Sequence, residues 1–515
     1  MLFVKGVETF YGGIMKKYVL YRLVTDLLFL ACFCVSFAGY GQVTVQPEYS
    51  QLANLSFPLQ YYANDFSGKR SLPLLWQEFI IRIAQQTQQN QVDLNLLLTV
   101  SDFSHCDPNS KHLIEDYKSE YPAIDRFEQA FLGRCSQTQN NCKLNHIKYQ
   151  CTQRDYSWLR NKAHLQVLDF NGNEAFLRMQ NKDHAYSQEL LPQGTTIVGI
   201  PLNWNGPADL FTDRAKGNLY MTERVLDQNN LSPVDAQQLL RQSIDFEQLI
   251  FLQANPWEHT QDTDTIVMFA KHHQTGQIHA FLTQHPDGPV TRRSLASSSY
   301  LAGDFLTLGQ ASNKENGKCS VASQDLFLMG VFVFNRWDDP FNFKSSLRGF
   351  ELLKNHASQE DFLEAAQNRW SNFNQLYACY QNIATQLNQQ AKSIDAYNYQ
   401  ALLRAGFNQQ NIHWLTSPGV YSDNQNNDNT YAASYVNGVI INDTYLMPVF
   451  PSFDQADVEY GRNEVQIKQA FDVLGSSDIK AMQELKKVFK HVIPVRSDFL
   501  SGGAIHCISS CSYQY

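Results

Sequence analysis

The stretch best equipped for chemistry lies near the carboxyl end, where "SGGAIHCISS" spans residues 501 to 510. An imidazole and a thiol stand side by side there, at His506 and Cys507, behind a pair of glycines. Cysteine becomes a strong nucleophile once ionised, and histidine exchanges protons near neutral pH. The plainer alternative is a histidine and a thiol that merely end a chain. Adjacent side chains of an extended segment point to opposite faces, so an extended 501–510 makes His506 structural and not the base for Cys507. A second feature is "DTDTIVMFA", residues 262 to 270, where Asp262 and Asp264 stand two positions apart. Taken alone, that run reads as a polar loop or a solvated strand edge. A third is "YSWLRN" at 156 to 161, with Trp158, Arg160 and Asn161. On residue type alone Trp158 is core and Asn161 caps a turn.

Elements that could position these groups follow one grammar. "SLPLLWQEFIIRIAQQTQQ" sets Leu75, Trp76, Phe79, Ile80 and Ile83 on one helical face, and "VDLNLLLTV" then alternates Val92, Leu94, Leu96 and Leu98 with period two. A second unit runs "GNLYMTERVL", "LSPVDAQQLLRQS" and "FEQLIFLQ", with Ser232 as helix cap, Pro233 at the first helical position and Asp235 in the first turn. A third runs through "ASYVNGVIINDTYLMPVF", two strands around Asn442-Asp443, then helices, the strand "VFKHVIPV" and the terminal segment. Residues 285 to about 355 break this pattern and read as an insertion. From Ser358 to about Gln390 a helical period carries Phe362, Ala366, Trp370, Phe373 and Tyr377, a packing face.

Composition narrows the class. A chain of 515 residues, 43% hydrophobic and 13% aromatic, has material for substantial cores. Only 18% of residues are charged, and the net charge of −9 argues against a nucleic-acid binder that relies on phosphate contacts. From Met15 the sequence has a basic start at Lys16, Lys17 and Arg22, then an apolar stretch from Leu27 to Phe37, the layout of a secretory signal. Residues 1 to about 40 are therefore set aside as an address. An uncleaved membrane anchor and a lipidated Cys32 are the rival readings. Export would leave eight of the ten cysteines, and an oxidising compartment makes one or two bridges plausible among Cys106, Cys135, Cys142 and Cys151. No Cys-x-x-Cys pair exists for a zinc knuckle, and no metal or cofactor is expected.

Taken in order, "YSWLRN", "KGNLYMTERVLDQNNLSPVDAQQLLRQSIDFEQLIFLQ", "ASYVN" and "GGAIHC" resemble the agmatine deiminase and Porphyromonas-type peptidylarginine deiminase family of guanidine-modifying enzymes. The likeness covers roughly residues 55 to 510. It implies an α/β fold, a five-bladed α/β propeller of strand-helix-strand units spanning 45–515, with 285–355 inserted. It also implies a reaction in which a thiolate attacks the guanidinium carbon, ammonia leaves, and water releases a ureido product. Cys507 matches the nucleophile, and Trp158, Arg160 and Asn161 match a substrate-binding Trp-x-Arg-Asp motif in which the carboxylate has become an amide. The family's His-x-Asp motif falls on Asp262 and Asp264, with Asp262 where the histidine belongs. An alternative register puts Thr265 and Val267 there instead. The first register keeps a carboxylate for the substrate, and Asp262 is then a catalytic candidate with Asp264 and Cys507.

Two functions of different class follow from the resemblance. One is an exported hydrolase of guanidino groups with altered active-site wiring, acting on agmatine, arginine or an arginine peptide. The other is a silent protein of the same fold that binds a cationic ligand or a protein partner, the latter through 285–355. A lost acid–base group costs 10²–10⁴-fold, unless His259 or His164 enters the site. A Cys/His protease built on Cys507 has no supporting spacing.

Overall fold

The computed structural model describes residues 42–59, 63–64, 70–71, 74–99, 106–107, 122–137, 142–152, 159, 164–179, 191, 194–204, 208–214, 216–254, 261–285, 373–422, 430–450, 468–469, 471–497 and 505–514. Residues 1–40, the insertion beyond His285, and Trp158, Arg160, Asn161 and His259 lie outside them.

Short apolar strands punctuated by helices produce several small sheets in a mixed α/β fold. In the first sheet Ser510–Tyr513 runs antiparallel to Leu52–Pro58, which pairs in parallel with Asp93–Thr99 and through it with Ile147–Thr152. The second joins Thr44–Val45, Leu165–Leu168, Glu174–Met179 and Thr196–Ile200. The third is Phe211–Thr212, Leu219–Thr222 and Leu249–Leu252. The fourth is Val267–Lys271, Ile278–Gln284 and Ile412–Thr416. The fifth is Val439–Ile441, Thr444–Val449 and His491–Arg496. Each of these five contains an antiparallel pair extended by a parallel partner. Parallel neighbours need a crossover, and helices supply it at Leu74–Gln89, Pro233–Arg241, Phe373–Arg404 and Ser476–Leu485.

Helices form at Leu74–Gln89 and Pro233–Arg241, where the sequence pattern places them, whereas the long helix runs over Phe373–Arg404 and the start of its expected span, 358–372, lies outside the described residues. Trp76, Phe79, Ile80 and Ile83 are buried against Leu94, Leu96 and Leu98 of the neighbouring strand. Ser232 accepts the Asp235 N–H at 3.2 Å, closing the first turn of Pro233–Arg241. Asn442 turns the fifth sheet's hairpin with a left-handed φ of 55°. The four clustered cysteines form two bridges, Cys106–Cys151 and Cys135–Cys142. Neither Cys507 nor Cys511 is in a disulfide. Among the described residues, no helix is long and apolar enough to cross a membrane.

The fourth sheet carries a cluster of imidazoles with a measurable consequence. His279 Nδ1 lies 2.8 Å from His413 Nε2, a bond in which at least one ring is neutral. Burial first, then His413 and His272, lower the pKa of His279 from its usual value to about 4. Burial also lowers that of His413, although the Glu484 carboxylate opposes the change. A histidine depressed in the folded state binds its proton at higher pH in the unfolded chain. The stability it contributes is therefore complete above about pH 6.5 and is lost as the pH falls towards 4. Urea titrations across that window should give a shallower decline for His279→Gln than for the natural chain. Identical slopes would refute this assignment.

Candidate active site

Three turns meet at Cys507, and each is fixed by its own backbone bonds. The first is the 3₁₀ turn Thr263–Thr265, which precedes the strand Val267–Lys271. Its carbonyls and hydroxyls are fully engaged. Thr263 Oγ1 donates to Asp209 O at 2.8 Å, Thr265 Oγ1 donates to Asp262 O at 2.8 Å, and Thr283 and Ser434 hydroxyls donate to Thr265 O at 2.7 and 2.9 Å. The second is the turn through Asn437 and Gly438. Tyr445 Oη accepts the Gly438 N–H at 2.9 Å and donates to Tyr435 O at 2.6 Å, clamping both sides of Asn437. A Cβ at Gly438 would stand 2.3 Å from Leu446 O, so only glycine admits this approach. The third is the terminal turn, residues 505–508, anchored by the His506 N–H on Asn437 O at 3.2 Å and the Ser509 N–H on His506 O at 3.1 Å.

The terminal turn changes the expectation for His506. Residues 505–508 are not extended, so alternation of side chains does not apply, and both neighbours face one carboxylate. His506 Nδ1 is 2.9 Å from Asp264 Oδ2, and Cys507 Sγ is 3.6 Å from the same oxygen. Behind the ring, Glu48 Oε1 lies 2.6 Å from His506 Nε2. A neutral imidazole donates from one ring nitrogen only, and the imidazolium donates from both. Phe211 lies beside the ring, with centroids 5.9 Å apart. Asn437 braces the thiol from the other side: its Oδ1 is 3.3 Å from both the Cys507 N and Sγ, and its Nδ2 donates to Asp264 O at 3.2 Å.

One atom is left over. Asp264 is 1% exposed, and its Oδ1 has no hydrogen-bond partner among the described residues. A buried acceptor left unmade costs about 1–3 kcal/mol, and a donor at that oxygen would recover it.

Asp262 points elsewhere. In a 3₁₀ turn, positions two apart do not share a face as they would in a strand. The Asp262 carboxylate takes Arg224 Nη2 at 2.6 Å, and the same nitrogen reaches Asp209 Oδ1 and Oδ2 at 3.1 and 3.0 Å. Both carboxylates are 0% exposed. Burial works against the Arg224 charge, and the Asp209 and Asp262 carboxylates outweigh it, holding its pKa above the usual range. Of the other register, Thr265 binds backbone through its hydroxyl and Val267 packs into an apolar cluster with Phe269 and Leu282. His164 lines a cavity with Gln46, Glu48, Phe211 and Cys511.

Sequence reasoning assigned no role to Glu48, Asn437, Arg224 or Asp209, and it set His506 aside. Asn437 was visible as the last residue of "ASYVN", and Arg224 stood within the quoted second unit. Nothing in the spacing of Glu48 marks it, because it reaches His506 across 458 positions of chain.

No protein-family model matches the sequence. No curated protein matches it either. Solved structures do resemble it. One is a C. jejuni agmatine deiminase, 11% identical over 92% of this chain and 97% of that one, with a TM-score of 0.47. Another is a provisionally assigned peptidyl-arginine deiminase, 10% identical over 92% of this chain and 100% of that one, TM-score 0.47. A third is an agmatine deiminase of Enterococcus faecalis, 13% identical over 92% and 96%, TM-score 0.45. The chain is thus similar along most of its length to structures carrying the names its motifs resemble, while its chemistry must be argued from its own residues.

Proposed function

We propose that this chain is an exported hydrolase of guanidino groups, with Cys507 as nucleophile and Asp264 as the anchor of the planar cation. The observation that carries this reading is the buried Asp264 Oδ1, without a partner among the described residues, on the carboxylate beside the Cys507 thiol. A guanidinium offers N–H donors in a rigid fork suited to a carboxylate. Accepting one of them at Oδ1 would satisfy the orphan oxygen and bring the electrophilic carbon to the side of Sγ. Glu48, Asp264 and one imidazolium sum to a single negative charge, which favours a cationic ligand over an anionic one. Agmatine, free arginine and arginine peptides are the natural candidates. Trp158, Arg160 and Asn161 would form the substrate wall that the resemblance gives them, and Asp262 would contribute through the Arg224 cluster.

In this reading the five sheets are blades of one α/β propeller. Their shared antiparallel-then-parallel pattern supports this, as does the C-terminal strand that completes the sheet begun by Leu52–Pro58. Two disulfides suit an oxidising compartment, reached through the signal from Met15.

A silent binder of a cationic ligand or, through 285–355, of a protein partner is the second reading. It is favoured by Asp262, whose position the resemblance gives to a histidine and which instead holds Arg224. Purified protein incubated with agmatine, free arginine and an arginine peptide separates the two. Ureido product that disappears in Cys507→Ala supports the hydrolase. Calorimetric binding of any of the three with no Cys507-dependent product supports the silent protein.

A further inference from the structure

The acid–base imidazole of this site is the residue next to the nucleophile. We infer that His506 donates the proton to the departing nitrogen and then accepts one from water, with Glu48 as the residue that positions and charges it. This rests on the guanidino-hydrolase reading and names the group that completes it.

The geometry supplies three supports. His506 Nδ1 and Cys507 Sγ converge on Asp264 Oδ2, at 2.9 and 3.6 Å. A guanidinium held by the other oxygen would share one carboxylate with the Nδ1 group. Glu48, at 2.6 Å from Nε2, orients the ring and favours its protonated form, as a carboxylate does behind a histidine base. Asp262, the residue in the expected histidine position, is bound to Arg224 and has no proton to give when ionised.

The bond changes balance with these groups alone. The Cys507 thiolate forms the S–C bond to the guanidinium carbon. His506 gives its Nδ1 proton to one nitrogen as that C–N bond breaks with its electron pair, and ammonia leaves. A cationic amidino group then remains on sulfur, and His506 is neutral. Water adds to the amidino carbon while His506 takes one of its protons. Collapse breaks the C–S bond, regenerates the thiolate beside the imidazolium, and the ureido oxygen releases its remaining proton to ammonia.

The groups at the thiol include Asp264, His506 and Asn437, with Glu48 behind His506. Removing the cation from that set disfavours the thiolate. Iodoacetamide labelling of Cys507 across pH should therefore give His506→Gln a midpoint at least one unit above that of the natural chain, with about tenfold slower labelling at pH 7. Glu48→Gln keeps the ring and its hydrogen bond, and so guards against a variant that fails to fold. It should move the alkaline limb of the kcat profile down by about one unit with KM nearly unchanged. Superimposable labelling curves for His506→Gln and the natural chain, or an unmoved alkaline limb in Glu48→Gln, overturn the inference. A shifted labelling curve in a chain that makes no product from any guanidino compound keeps the His506–Cys507 pair and discards the guanidino reading.

Discussion

Asp264→Asn is expected to lower kcat/KM for a guanidino substrate about 10³-fold while leaving the melting temperature within a few degrees of the natural chain. The isosteric amide fits the same turn, because the backbone of Thr263–Thr265 is held by Thr283, Ser434 and Asn437 and not by the carboxylate. What disappears is charge. Charge-assisted hydrogen bonds contribute about 1.5–3 kcal/mol each, and the proposed complex loses two, one to the substrate at Oδ1 and one to His506 at Oδ2. Together they account for about 4 kcal/mol, and each 1.36 kcal/mol is tenfold in rate. Stability is nearly spared because His506 keeps Glu48, and because the natural residue already carries an unsatisfied oxygen. Steady-state ureido production and calorimetric melting, measured on the same preparation, check both halves. Activity within tenfold of the natural chain would remove Asp264 from the substrate site.

Arg224→Met should have the largest effect on folding, about 3–5 kcal/mol by urea unfolding. Arg224 is the shared cation of Asp209 and Asp262, both without exposed surface, at distances of 2.6 to 3.1 Å. Methionine preserves much of the side-chain length and strands two buried like charges. Protonating either carboxylate relieves the repulsion, so the deficit should narrow as the pH is lowered from 7 to 4. A constant deficit across that range would mean that lost packing, not charge, is responsible. Arg224→Lys should recover only part of the loss, since the lysine side chain is one atom shorter and its ammonium falls short of the point where Nη2 meets both carboxylates.

How far the sequence carried this picture depends on the range of the interaction concerned. The helix Leu74–Gln89 and the strand Asp93–Thr99 were legible from periodicity, because burial on one face is a local pattern. The cap at Ser232 and the turn at Asn442 were legible for the same reason. The parity argument for His506 failed at the terminal turn, since whether a four-residue stretch is extended depends on what anchors it. Here the anchor is Asn437 O, 69 positions away by number from His506. The two aspartates were visible as a pair, yet their division between Arg224 and Cys507 follows from a 3₁₀ turn that no short apolar pattern announces. Glu48 was invisible because its partner lies at the opposite end of the chain.

The strand Ser510–Tyr513 closes the sheet that starts with Leu52–Pro58, and the turn bearing His506 and Cys507 directly precedes it. One short segment therefore both sets the thiol in its turn and covers the outer edge of Leu52–Pro58. A chain without residues 505–513 would lack both the reactive pair and the edge partner of Leu52–Pro58, leaving a row of bare backbone amides and carbonyls to neighbouring chains. Reactivity and colloidal safety thus rest on the same few residues.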